Sequence, residues 1–198
     1  MDKSSEFDAF LELAGMLVTD PRTAVLLALL LVAAITDYRT FKIPNWLTGG
    51  GLLFALVYTA FVPPVYNATW LWAPAGALLG FVVTLPMYVL RTMGAGDVKL
   101  MTMVGAFLGV TGTLYALIFS FVTAGVAAIA FAASQGVATR MFGNVRRILH
   151  GMAWSAIGGV RPTARIEQHE SVGKLAYGIS IALGTTIYVV AQHFNFIE

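Results

Sequence analysis

The stretch TAVLLALLLVAAITDYRTFKIPN, residues 23–45, decides the fold. Its first 14 residues, Thr23 to Thr36, carry no charge. As a helix rising 1.5 Å per residue they cover about 21 Å, short of the roughly 30 Å hydrocarbon core of a bilayer. A membrane helix begun here therefore continues past Asp37, about as far as Phe41, and Pro44 marks the break before the next element. The preceding TDPR, residues 19–22, offers an N-cap and a proline for the first turn. The span so defined carries a carboxylate close to one of its ends.

The rest of the chain agrees with a membrane reading. Of 198 residues 58% are hydrophobic and only 11% are charged, where a soluble domain carries about a quarter charged; the mean hydropathy is +0.79. We expect an all-α polytopic protein with six spans. They fall at about Thr23 to the Asp37–Phe41 region, Asn45 to Val62, Thr69 to Leu90, Asp97 to Gly109, Thr113 to Ala133, and Leu175 to Ala191. Residues 22–192 then form one membrane domain. The net acidic opening, residues 1–21, lacks the basic start of a secretory signal. Its apolar residues Phe7, Phe10, Leu11, Ala14 and Leu17 are spaced as in a short amphipathic helix lying on the membrane. The one long connection, 134–174, contains RMFGNVRRILHGMAWSAIGG, a basic amphipathic segment suited to anionic lipid.

Basic residues set the orientation. Arg39, Lys42, Arg91, Lys99, Arg140, Arg146, Arg147, Arg161, Arg165 and Lys174 fall on one side of this layout, and only Lys3 and Arg22 on the other. The positive-inside rule places the first group in the cytoplasm and both termini outside. The pI near 9.0 accordingly reflects loop charges that set topology, with no nucleic-acid partner implied.

Acidic residues are scarcer still. Between residues 21 and 166 there are only Asp37 and Asp97. Counted along their spans, both lie a short way inside the cytoplasmic boundary, matched within about one helical turn. An aspartate at the centre of a spanning helix is unfavourable by about 2.5 to 3.5 kcal/mol, and such residues face the protein interior and act there. A competing reading makes them anchors, Asp37 paired with Arg39 and Asp97 with Lys99 or Arg91. In GAGDVKL, residues 94–100, Gly94 and Gly96 permit positive φ and clear side chains from the backbone before Asp97. A helix starting there would place Asp97 in the favourable field of its N-terminus.

Two adjacent carboxylates share a proton, because like charges about 3 Å apart do not both ionise easily. One then activates water while the other protonates a carbonyl oxygen or leaving amine. That is aspartic-protease chemistry. The chain has no cysteine, which excludes disulfides, zinc–thiolate sites and a cysteine nucleophile. Its histidines, His150, His169 and His193, show no metal-ligand spacing, and there is no G-x-S-x-G elbow. No cofactor and no metal are expected.

DYRTFKIPN (37–45) and GAGDVKL (94–100) resemble the two signature motifs of the type IV prepilin peptidases, intramembrane aspartic proteases of the GxGD class. The resemblance rests on Asp37, Arg39, Ile43, Pro44 and Asn45 in the first motif and on Gly94, Gly96, Asp97 and Lys99 in the second. It implies Asp37 and Asp97 as the catalytic dyad near the cytoplasmic face of the inner membrane. It also implies pilin-like precursors as substrate, each with a short basic leader before a hydrophobic helix. KLAYGISIALG (174–184) is similar to a third segment of the family, with Ala176 where a proline often stands. Larger bacterial members carry an insert with paired CxxC motifs and also methylate the new amino terminus. This chain resembles the short, peptidase-only type. Two other classes compete: a small proton- or cation-coupled carrier, which would need polar residues along its spans, and a non-catalytic membrane subunit of a secretion or pilus apparatus. Lipid is a partner under every reading; the oligomeric state is not legible.

Overall fold

A computed structural model describes residue 15 and residues 20–62, 70–90, 92–134, 177–194 and 196. The described residues are helical throughout: α1 (Pro21–Thr40), α2 (Asn45–Phe61), α3 (Trp72–Val89), α4 (Ala95–Ser134) and α5 (Tyr177–His193). Among the described residues three helices are long and apolar enough to cross a membrane, Pro21–Thr40, Trp72–Val89 and the Ala95–Phe131 part of α4. At 17 residues each, α2 and α5 measure about 26 Å, slightly under the hydrocarbon thickness. The amphipathic segment expected over 1–21 and the interfacial helix expected within 134–174 lie almost wholly outside the described residues.

Two compact units are present. One comprises residues 1–124 and 176–198; Gly125–Ser134 is the described part of the other. In the first unit α1 starts as its sequence implies. The Asp20 carboxylate accepts from the Arg22 N–H at 3.1 Å and from the Thr23 hydroxyl at 2.5 Å, and Pro21 takes the first helical position, where no N–H is needed. The helix runs past Asp37 and ends at Phe41, a left-handed residue (φ 50°) whose N–H bonds the Asp37 carbonyl at 2.9 Å. α1 then lies against α5.

Small residues let the helices approach closely. α2 turns a ridge of Leu47, Gly51, Ala55 and Thr59 inward, and a side chain on Gly51 would collide with Met103 and Leu29. α3 packs through Gly76 and Gly80. A β-carbon on Gly76 would strike the Gly105 carbonyl, one on Gly105 would strike that of Gly76, and one on Gly80 would fall 2.5 Å from the Met101 carbonyl. This is small-residue packing, backbone against backbone, as expected where lipid gives helices no hydrophobic reason to associate. Two buried hydroxyls are satisfied within their own helices, Thr84 donating to the Gly80 carbonyl at 2.7 Å and Thr113 to that of Gly109, whereas those of Thr59, Ser120 and Thr185 have no partner among the described residues.

The sequence implies a loop between a fourth span ending near Gly109 and a fifth beginning at Thr113. The structure instead joins the two helical stretches of Ala95–Ser134 at a kink on Gly109 alone (φ 68°, ψ −172°), with no loop between them. Trp72 covers that glycine so closely that any β-carbon would overlap its ring, and φ of this sign is open to glycine at little strain. A single residue therefore does the work expected of a turn. Before it, Asp97 lies near the Asp37 end of α1; after it, Ser120 meets Gly184 and Thr123 donates to the Ser180 carbonyl at 2.9 Å, back near Gly178 beside Asp37.

Candidate active site

Asp37 sits in the last turn of α1 and is 5% exposed; Asp97 sits in the first turn of α4 and is 8% exposed. Their burial follows from what surrounds them. Ile43, in the short link between α1 and α2, is itself buried. A β-carbon added to Gly96 would lie 3.3 Å from Ile43 Cβ, and one added to Gly178 would lie 2.9 Å from Ile43 Cδ1 and 2.7 Å from Asp37 Oδ2. Ile43 is thus the wedge between the segment bearing Asp97 and the helix start facing Asp37.

Each carboxylate faces a helix N-terminus. Gly94 precedes α4, and its N–H donates to Asp97 Oδ2 at 3.0 Å; the N–H groups of Asp97 and Val98 bond back to the Gly94 carbonyl at 3.2 and 3.4 Å. This is a reciprocal capping arrangement with the acid at the third helical position. Asp37 stands at the unfavourable C-terminal end of its own helix. The first turn of α5 comes up to it instead, where a β-carbon on Gly178 would lie 2.7 Å from its Oδ2, and a helix start is where an anion is favourably received. Even so, Asp37 Oδ2 closes no hydrogen bond.

The glycines of the second motif act differently from the expectation of positive φ. Among the described residues only Gly109 and Phe41 have it. Gly96 lies inside α4, where Ile43 leaves little room for a side chain, and the Asp97 carboxylate lies over Gly94, with Oδ2 3.2 Å from where a β-carbon would be. Clearance, not backbone freedom, is what they supply.

The other motif residues divide by exposure. Ile43 is buried and Pro44 half-buried, whereas Arg39, Asn45 and Lys99 are exposed. The Lys99 ammonium donates to Asn45 Oδ1 at 2.8 Å, joining the start of α2 to the first turn of α4. Among the described residues no lysine or arginine nitrogen comes within 4.0 Å of either aspartate, so the anchoring pairs Asp37–Arg39 and Asp97–Lys99 do not form. Arg91 lies outside the described residues. Among them, too, no three His, Asp or Glu side chains gather as a metal-holding group. The residues that sequence reasoning gave no role here are Gly178 and Ile179. Their signal was present in KLAYGISIALG, but only the fold brings that segment to Asp37.

A family model described as the type IV leader peptidase family matches residues 24–129, more than half of the chain and inclusive of both aspartates. No curated protein and no solved structure matches.

Proposed function

The chain belongs to the type IV leader peptidase family, and on that premise we propose that it is an intramembrane aspartic endopeptidase whose dyad is Asp37 and Asp97. It removes the short basic leader of pilin-like precursors at the cytoplasmic face of the inner membrane. The observation that carries this reading is the burial of two carboxylates, the only ones between residues 21 and 166, on either side of Ile43, with no cation paired to either among the described residues.

In the reaction one carboxylate takes a proton from water as the oxygen adds to the scissile carbonyl carbon. The other carboxyl gives its proton to the carbonyl oxygen. Collapse of the tetrahedral species breaks the C–N bond, and the leaving amine takes a proton from the dyad. Burial serves this chemistry because electrostatic interactions strengthen where water is scarce. Arg39 and Lys99, exposed and unpaired with the acids, hold headgroups or tune local charge.

The same reading counts the parts of α4 on either side of Gly109 as two spans. With α1, α2, α3 and α5 they make six, with both termini outside. The decisive test is co-expression with a pilin-like precursor, scored for loss of the leader; a precursor left whole by abundant protein would overturn the assignment. The layout is checked by single introduced cysteines, which the cysteine-free chain lets one label cleanly: positions in 139–170 should react only from the cytoplasmic side.

A further inference from the structure

The link between α1 and α2, residues 41–44, is short and tied down. Phe41 closes α1 in the left-handed conformation, its N–H bonded to the Asp37 carbonyl at 2.9 Å. The Thr40 hydroxyl donates to the Lys42 carbonyl at 3.2 Å. The Pro44 carbonyl accepts from the N–H groups of Leu47 and Thr48 at 3.2 and 3.3 Å. A residue before proline is held extended, so Ile43 has little backbone freedom. Phe41 and Lys42 are exposed and Pro44 is half-buried; Ile43 alone in the link is buried.

A buried isoleucine is by itself ordinary. What this one touches is not. Its branch faces Gly96, the residue before Asp97: a β-carbon there would lie 3.3 Å from Ile43 Cβ and 3.6 Å from Cγ1. Its tip faces Gly178, where a β-carbon would lie 2.9 Å from Ile43 Cδ1 and 2.7 Å from Asp37 Oδ2. The Cδ1 methyl and the Asp37 carboxylate thus share the clearance that Gly178 provides. In a close-packed interior the loss of one methyl group is felt, and a misplacement of about 1 Å lowers a rate by about a hundredfold.

We propose that Ile43 is the spacer of the dyad, an inference that rests on the peptidase reading. It is a positioning residue: its branch seats the segment carrying Asp97, and its Cδ1 methyl sets how the first turn of α5 stands against Asp37. It exchanges no proton and acts through the placement of the two carboxylates.

Substitution separates the two contacts. Ile43→Val deletes Cδ1 and keeps the branch; Ile43→Ala deletes the branch as well. Turnover is measured in membranes, per folded molecule of the full chain, on a precursor made of a short basic leader and one apolar helix. Ile43→Val should lower kcat about threefold to tenfold and Ile43→Ala about tenfold to a hundredfold, with KM held within about threefold. Leu26→Ala, buried near the far end of α1, controls for lost packing: it should lower abundance and leave the kcat of what remains within about threefold.

A double variant decides between spacing and packing. Gly178→Ala forces a methyl group against both Ile43 Cδ1 and Asp37 Oδ2. With Cδ1 removed, the crowded groups have room to yield and the carboxylate returns. Ile43→Val in the Gly178→Ala chain should therefore raise kcat at least about threefold above Gly178→Ala alone, a coupling that residues in contact show and independent defects do not. In a Gly96→Ala chain it should give no recovery, because Cβ and Cγ1 remain. Additive loss in the Gly178→Ala chain, equal recovery in the Gly96→Ala chain, or an Ile43→Val chain of normal kcat would each overturn the spacer while leaving the peptidase standing. Failure of the unmutated chain to remove any pilin-like leader would overturn both.

Discussion

The two ends of the helical unit bury charge in opposite ways. At one end Arg22 is 7% exposed and closely enclosed. Its guanidinium lies 5.4 Å from the centre of the Tyr58 ring and 5.3 Å from that of Trp72, and Nη2 donates to the Val62 carbonyl at 2.6 Å. A planar cation is attracted to both aromatic faces, and of its buried nitrogens only Nη1 is left without a hydrogen-bond partner among the described residues. At the other end Asp37 and Asp97 are buried to a similar degree, have no paired cation among the described residues, and leave Asp37 Oδ2 without a donor. The first arrangement fastens helices together. The second leaves two carboxylates without a paired cation beside Gly94 and Gly178, as the proposed dyad requires. Mutations at the two ends should therefore separate stability from catalysis.

The largest effect belongs to the dyad. Asp37→Asn or Asp97→Asn keeps shape and hydrogen bonding but neither takes nor gives up a proton. Leader cleavage should fall by at least about a hundredfold, the lower range for a lost general acid or base, with membrane abundance unchanged by immunoblot. Robust cleavage by either variant at wild-type abundance would collapse the contrast between the two ends.

Next comes Gly178→Ala. The new methyl group would sit 2.7 Å from Asp37 Oδ2 and 3.0 Å from its Cγ, so the carboxylate must turn away. A displacement of this kind lowers kcat by roughly tenfold to a hundredfold. KM and abundance should stay near wild type, because Gly178 acts by positioning Asp37. A parallel loss of folded protein would instead make it a packing residue.

These two sites also show how far the sequence could be read. Asp37 and Asp97 stand out because carboxylates are rare in a chain of this hydropathy, and α1 was legible from Asp20, Pro21 and the length of its apolar run. Gly109 was legible as a boundary. That one residue would replace a loop was not, since the reason is Trp72, 37 positions earlier. Gly178 and the wedge role of Ile43 depend on contacts between segments 53 to 141 residues apart. Arg22 read as a loop charge on the outer side, because nothing local announces Tyr58 and Trp72 as its partners. Signals carried by composition and helical period survive in one dimension; clearance around a glycine does not.

Arg22→Met tests the other end. It removes two cation–π contacts and the bond to Val62, and a loss of about 1 to 3 kcal/mol follows from such groups. The purified variant should melt at lower temperature and accumulate less. The kcat of the surviving fraction should stay within about threefold, because the dyad lies at the far end of α1.

The smallest effect is expected at Lys99. Its ammonium bonds Asn45 Oδ1 at 2.8 Å on the exposed surface, and an exposed contact of this type contributes only about 0.2 to 1 kcal/mol. Lys99→Gln retains a donor for Asn45 and should leave cleavage within about threefold of wild type. Asn45→Ala should do the same in stability and slightly more in KM, since it loosens the start of α2 beside the first turn of α4. The competing view of the aspartates as anchors ranks these variants differently. If Asp97 existed to hold Lys99 at a helix end, Lys99→Gln and Asp97→Asn would lower abundance alike and spare the turnover of what remained. Measured side by side as cleavage per folded molecule, a near-normal Lys99→Gln beside a silent Asp97→Asn assigns the acid to chemistry and the base to the surface.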